Sequence, residues 1–310
     1  AFIFRCGPFY NHQHFDQGSF FLVDRGEDFL LEGGKTDYYN DPWYQKFFIQ
    51  PGAHNCILAD GNVESQIAGD LLKDVGAWRD SARITDFLET GEGAFVSGDL
   101  TKIYKKKFKS LSRNILYLKP RTIVLIDQAQ SAEANGAKTM EIRFHPPLKK
   151  DAVLKDDRIE IRRPAASLFI KTLAPDNYGR ELLKRPLSLA EFGSENPVTM
   201  SAGGFIQLSG KLEPKGTTFI NVLSTDERAV SQAEKARGAD FIEMGFRGQS
   251  FFINKAAGAY AAGDVRTDAL VFAPRANGYQ AFKVTEISEG QKTTFSAARS
   301  VSVEIGRAHV

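Results

Sequence analysis

The sequence has few cysteines and almost no net charge, and each shortage excludes a class of protein. It has two cysteines in 310 residues, Cys6 and Cys56, which are too few for a disulfide-based scaffold. Forty basic and 38 acidic side chains leave a formal charge of +2. No global field therefore favours nucleic acid or an anionic membrane as a partner. A site for an acidic ligand must be built locally.

Long apolar segments are missing as well. No apolar run approaches the roughly 18 residues that span a bilayer, so no membrane partner is expected. The start, AFIFRCGPFYNHQH, has neither a charged leader nor a small-residue cleavage site, and we expect an internal fragment. The last residues, EIGRAHV, are what one reading frame of a common sequencing adapter would encode. We therefore expect residues 304–310 to be a non-native tail.

Period-two alternation and short apolar runs bounded by Gly, Pro, Asn or Asp dominate the chain, and they predict β-strands. The clearest hairpin is SRNILYLKPRTIVLIDQ, with a turn at residues 119–121. Helical patterns appear only in NVESQIAGDLLKDV and in TDERAVSQAEKARG, which also fits a surface loop. Residues 175–215 lack strand patterning and are expected to be an excursion between strands. The pattern predicts an all-β, large antiparallel two-layer β-sandwich over residues 1–303, with a smaller β subdomain from about residue 246.

Histidine is scarce, yet three of the five histidines fall within the first 54 residues: His12, His14 and His54. In an extended segment His12 and His14 point to the same side, so both imidazoles can serve one site. Zinc favours imidazole nitrogen together with carboxylate oxygen. The cluster therefore predicts a metal site rather than three unrelated histidines.

The residues around these histidines resemble the heparinase II/III-like polysaccharide lyases. The segments FRCGPFYNHQHFDQGSFFLVDRGEDFLLEGG and GAHNCILADGN carry the resemblance, over roughly the first 65 residues. That family has an H-x-H-x-D-Q-x-S-F segment, a strand ending in L-L-x-D-x-G, and an A-H-N-x-x-x-x-D-G segment. This chain departs at Glu32, where the family usually has aspartate.

The resemblance implies roles for individual residues. His14, Glu32 and His54 would bind Zn²⁺, with Asp24 and Asp28 as the nearest substitutes for Glu32. His12 would face the substrate and help to neutralise a uronate carboxylate. Two tyrosines, Tyr39 and Tyr44, are the candidates for the catalytic base or acid.

The resemblance also implies an acidic polysaccharide substrate, cleavage by β-elimination, and an α/α toroid that precedes the sandwich in the family and is missing from this chain. Polymeric glycans are met outside the cytoplasm, so we expect a periplasmic or secreted protein. The alternative is a non-catalytic carbohydrate-binding or structural sandwich that retains the metal site. A metallo-β-lactamase-like H-x-H-x-D-H motif is matched by His12, His14 and Asp16 but broken by Gln17. Asp16 and Gln17 are therefore expected to orient the histidines rather than to bind metal.

Overall fold

The computed structural model describes residues 1–9, 14–34, 43–66, 82–104, 106–133, 135–184, 203–256 and 258–306. Within these ranges the chain forms 23 β-strands, all paired antiparallel in four sheets, and no helix longer than five residues. The prediction of an antiparallel β-sandwich is confirmed. No helix in the described ranges is long and apolar enough to cross a membrane.

Two smaller sheets contribute to one hydrophobic core: a three-stranded sheet at the start of the chain and a four-stranded sheet. The first has the order β1-β2-β3 and the second the order β13-β14-β9-β4. Their strands are β1 (Phe2–Phe4), β2 (Phe20–Asp24), β3 (Glu27–Leu30), β4 (Ile57–Ala59), β9 (Thr139–Phe144), β13 (Gly179–Lys184) and β14 (Gly204–Lys211).

A central sheet has eight strands in the order β10-β11-β12-β15-β8-β7-β6-β5. Its strands are β5 (Arg83–Thr90), β6 (Gly93–Asp99), β7 (Phe108–Leu118), β8 (Thr122–Ser131), β10 (Ala152–Leu154), β11 (Ile159–Arg162), β12 (Ser167–Ala174) and β15 (Thr217–Ser224).

A C-terminal sheet has the order β16-β17-β18-β21-β22-β20-β19, with β23 paired to β22. Its strands are β16 (Glu234–Arg237), β17 (Phe241–Phe246), β18 (Gln249–Asn254), β19 (Tyr260–Ala262), β20 (Val265–Thr267), β21 (Val271–Arg275), β22 (Gly278–Glu289) and β23 (Lys292–Gly306). The helical segments are short: Tyr44–Phe48, Pro51–Ala53, Thr101–Tyr104, Lys149–Asp151 and α1 (Glu227–Ser231).

The middle strands of the central sheet, such as β8 and β15, are buried on both faces, which explains their nearly continuous apolar runs. On β8, Ile123 and Leu125 point into a core shared with the three- and four-stranded sheets. Their neighbours Val124 and Ile126 point the other way, into a core shared with the C-terminal sheet. Alternate residues of one strand thus serve two cores. The C-terminal sheet is thus a third layer beyond the predicted two-layer sandwich. The sequence predicted only a smaller β subdomain from about residue 246 in this part of the chain.

Strand predictions were correct for the hairpin of β7 and β8, which pairs Leu118 with Thr122 across the predicted turn. The predicted excursion at residues 175–215 is wrong in part, because β13 and β14 lie within it and pair with each other. β13 reads GRELLK, a mostly polar edge strand whose only contribution to the core is Leu182, so its apolar pattern is weak. The first helical pattern falls largely on residues 67–81, outside the described residues. The second is correct only in part, because it forms the short helix α1 and then the strand β16.

Candidate functional site

Three segments of the chain converge at one end of the β2–β3 hairpin. Antiparallel pairing sets Leu22 opposite Leu30, so the residues before β2 and those after β3 lie at the same end. The third segment, Pro51–Ala53 and His54, is joined there by a 2.6 Å hydrogen bond from Gly33 N to Ala53 O. A Cβ at Gly33 would lie 2.8 Å from that same oxygen, so glycine is required for this close approach.

The convergence brings together the predicted metal ligands. The imidazole rings of His14 and His54 have centroids 5.2 Å apart, and Nδ1 of His54 contacts Oε2 of Glu32. Among the described residues, a group that could hold a metal ion consists of Asp16, Glu32 and His54, whose ligand atoms all lie within 4.8 Å of one another. This group includes Asp16, which the sequence predicted only to orient the histidines, and does not include His14, whose ring lies beside that of His54.

The other predicted residues are distributed unevenly. Tyr44 lies next to the cluster, with its ring centroid 6.0 Å from that of His14. His12 and Tyr39 fall outside the described residues. Asp24 is directed elsewhere, because its carboxylate accepts a hydrogen bond from Thr225 Oγ1 and pairs with Arg121 at 3.2 Å. Asp24 is thus engaged at the opposite end of β2 and does not substitute for Glu32.

Burial lowers the pKa values of His14 and His54. His54 is only 1% exposed, and burial lowers its pKa well below the ordinary value, with smaller contributions from His14 and His145. Burial and then Arg5 lower the pKa of His14. Both rings are therefore neutral at neutral pH, which is the form that binds metal ions.

The pKa of Asp16 shifts in the opposite direction, upward. Burial raises the pKa of its carboxyl to about 6, although Arg5, at 2.9 Å from Oδ2, opposes the shift. Within the described ranges, Asp16 Oδ1 and His54 Nε2 are buried and have no hydrogen-bond partner. A buried acceptor and a buried neutral imidazole nitrogen left in this state fit a cation site, because such groups are otherwise nearly always satisfied.

Asn55, the third residue of the A-H-N segment, joins the three segments through hydrogen bonds of its own. Its side-chain amide donates to Phe20 O at 2.6 Å and to Leu31 O at 2.7 Å. Its Oδ1 accepts from His145 N at 2.7 Å, and its backbone N–H donates to Ser19 Oγ at 3.1 Å. Every polar atom of this buried side chain is used in fixing the position of the residue after His54.

A buried ion pair in the central sheet contacts these segments. Arg113 on β7 binds both carboxylate oxygens of Asp127 on β8, at 2.7 and 2.9 Å, and both side chains are fully buried. Arg113 Nη1 also donates to the backbone oxygens of Gly18 and Asn55, one in each histidine-bearing segment. The sequence did not predict the buried role of Arg113, because a lone arginine in an apolar strand is expected to face solvent.

Comparison with known proteins gives the family. The profile described as "Heparinase II/III-like, C-terminal" matches residues 1–219. No curated protein sequence is significantly similar to the chain.

Solved structures share the fold. A heparinase III gene product has a TM-score of 0.57 and 12% identity, over 98% of this chain and 38% of its own. The heparan sulfate lyase HepC from Pedobacter heparinus has a TM-score of 0.57 and 13% identity, over 100% of this chain and 40% of its own. The chain therefore spans about two fifths of the length of these proteins. With its profile match over residues 1–219, the chain belongs to the heparinase II/III-like C-terminal family.

Proposed function

We propose that this chain is the β-sandwich part of a zinc-containing polysaccharide lyase that cleaves uronic-acid-containing glycans by β-elimination. The observation that carries the proposal is the convergence of His14, Glu32 and His54 in a chain of this family. The solved relatives bear the names heparinase III and heparan sulfate lyase, which supports an acidic polysaccharide as substrate.

The proposed reaction places defined demands on the protein. A base removes the C5 proton next to the uronate carboxylate, the C4–O4 bond breaks, a C4–C5 double bond forms, and an acid protonates the departing O4. The C5 proton is weakly acidic unless donors or cations hold the negative charge that develops on the carboxylate. No water is added, so the reaction does not need a metal-bound hydroxide.

The residues of this chain divide these tasks in the proposal. His14, Glu32 and His54 would hold the zinc ion, and the unsatisfied Asp16 carboxylate oxygen lies close to the ligand atoms of Glu32 and His54. The ion would supply a fixed positive charge that holds three chain segments together. His12 neutralises the uronate carboxylate, and Tyr44 or Tyr39 exchanges the proton. Tyr44 is favoured of the two by its place next to His14.

The proposal includes a setting for the protein. A lyase for polymeric glycans works where those polymers occur, so we propose a periplasmic or secreted location. A toroidal domain preceding this sandwich in the same polypeptide would supply the other wall of the cleft. Such a wall would set the choice among uronic polymers.

The test is an assay of the full-length gene product against a panel of uronic polymers, with a neutral glucan as the matched control polymer. Elimination creates an unsaturated uronate that absorbs ultraviolet light, so absorbance should rise with at least one uronic polymer and not with the glucan. Binding of a uronic polymer without any rise in absorbance across the panel would overturn the lyase proposal. It would favour the non-catalytic carbohydrate-binding sandwich.

A further inference from the structure

A polar cavity lies between the central and C-terminal sheets, and no residue of the histidine cluster lines it. Its volume is about 400 Å³, within the range of small-molecule sites of about 300–1,000 Å³. The two sheets share an apolar core that includes Leu116 and Ile126. Toward one end of the same strand faces, apolar residues give way to Ser110, Ser112 and Gln128, which line the cavity. The sheets are thus separated by a polar opening where their core ends.

Lys283 of β22 enters this opening because of an irregularity in its strand. The pairing of β22 with β23 shifts register between Ala281 and Val284, so Lys283 sits in a bulge. Its φ of 56° is in the left-handed region, which is uncommon for a lysine. Bulges and left-handed residues re-aim side chains and concentrate at functional sites. This backbone conformation directs a lysine side chain between two sheets, instead of along the strand surface.

The ammonium of Lys283 is held by neutral groups. Nζ lies 3.3 Å from Ser112 Oγ and 3.4 Å from Asn114 Oδ1, and within the described part of the chain it forms no ion pair. Burial lowers the pKa of Lys283, although Asp99 and Asp86 oppose the shift. A largely buried cation without a carboxylate in contact is costly unless an anion joins it.

The charged side chains around the cavity favour a ligand with a negative charge. Lys215 and Lys255 line it together with Lys283, and Asp86 and Asp99 are the acidic residues on its wall. Three cations and two anions leave one positive charge to be matched. Hydroxyl and amide side chains occupy most of the rest of the wall, and such groups exchange hydrogen bonds with a hydroxyl-rich ligand.

We propose that this cavity binds a sugar that carries a single negative charge, a carboxylate or a sulfate ester, with Lys283 at the anionic group. The serine, threonine and glutamine side chains of the wall bind the sugar hydroxyls. This site is separate from the histidine cluster and goes beyond the proposed lyase reaction. Such a site would hold a glycan on the sandwich independently of the cleft.

Three matched monosaccharides test the proposal on the 310-residue chain by calorimetry: methyl β-D-glucuronide, methyl β-D-glucoside 6-sulfate and neutral methyl β-D-glucoside. At least one of the two anionic sugars should bind about tenfold or more tightly than the neutral one, as charge-assisted hydrogen bonds require. The comparison of the two anions identifies the preferred group. Equal affinity for all three sugars would overturn the proposal.

Variants locate the site. Lys283→Met, which keeps the apolar stem, should weaken binding of the anionic sugar about tenfold or more, whereas Lys109→Met, at an exposed lysine of β7 that does not line the cavity, should not change it. Unchanged binding in Lys283→Met would overturn the assignment. If that variant does not fold, the unaltered chain decides by NMR. The sugar should raise the pKa of the Lys283 ammonium, and an unmoved pKa would contradict the proposal.

A final variant separates this inference from the lyase proposal. His54→Ala should leave binding of the charged monosaccharide unchanged, because His54 does not line this cavity. Loss of binding in a His54→Ala variant that is still folded would place the sugar at the histidine cluster and overturn this site while leaving the lyase proposal intact. Failure of the polymer assay would leave this site untouched.

Discussion

At the scale of single residues, burial determines what the histidines of the cluster can do. His54 is almost completely enclosed, and this burial keeps its imidazole neutral despite the contact with Glu32. A neutral ring binds a metal ion without first losing a proton. The same burial makes acid costly for the folded chain, because the unfolded chain protonates His54 at its ordinary pKa.

This difference gives a pH prediction for the metal-free chain. The folded pKa of His54 lies below the unfolded one, so its contribution to stability is complete above about pH 6.5 and is lost as the pH falls below that value. Relative to His54→Gln, the free energy of unfolding should fall by up to about 1.4 kcal/mol per pH unit of acidification. Urea titrations from neutral pH to pH 5 measure it. A constant difference between the two proteins would show that His54 is accessible to protons in the fold.

His12 separates substrate contact from metal binding. For the proposed lyase, His12→Ala should lower turnover about 10²–10³-fold, the effect of removing a donor to developing negative charge, while zinc content and melting temperature stay unchanged. Kinetics with the best polymer of the panel and metal analysis on the same sample measure both. A large loss of zinc would mean that His12, and not His14, is the ligand.

At the scale of elements, the cluster depends on strands that carry no ligand. Arg113 on β7 and Asp127 on β8 lie in the central sheet, yet Arg113 binds backbone oxygens in the segments that carry His14 and His54. The ion pair therefore connects the hairpin of the central sheet with the loops that carry His14 and His54. Asn55 adds connections to β2 and to the residue after β3.

Asp127→Asn should therefore destabilise the chain strongly, because it leaves the Arg113 charge buried without its partner. The expected loss is about 3–5 kcal/mol in the free energy of unfolding. The matched control is Glu89→Gln, which removes the exposed pair with Lys119 and should cost less than about 1 kcal/mol. Denaturant unfolding measures both. Similar small losses in the two variants would remove the ion pair from the support of the site.

The elements also show what the sequence could reveal. The β7–β8 hairpin was predictable because two long apolar runs flank a proline turn, and the ligand segments were predictable because their motif is local. β13 was missed because an edge strand needs few apolar residues. The sequence could not predict the role of Arg113, because its burial depends on Asp127 and on backbone oxygens from distant segments. The same holds for Lys283, since a bulge that re-aims one side chain leaves no periodic signal.

At the scale of the whole molecule, a metal ion in the cluster would join segments that come from both sides of the β2–β3 hairpin and from the approach to β4. An ion that links such segments stabilises the fold by binding only the folded state. This is the physical reason to expect a structural ion, in addition to any influence on the substrate.

Chelation should consequently lower stability and activity together. For the proposed zinc lyase, removing the ion should reduce the melting temperature by roughly 5 °C or more and abolish turnover, and cobalt, which accepts similar geometry, should restore both. Calorimetry and the absorbance assay on the same preparations measure it. Lost activity at an unchanged melting temperature would instead assign the ion to the chemistry.

Zinc content tests the central claim most directly, because the whole account depends on His14, Glu32 and His54 forming a metal site. The measurement is elemental analysis of the purified 310-residue chain after mild dialysis, beside a His14→Ala, His54→Ala double variant and a His309→Ala control from the predicted non-native tail. The account predicts about one zinc ion per chain in the unaltered protein and in the control, and almost none in the double variant. Equal zinc content in all three proteins would contradict it.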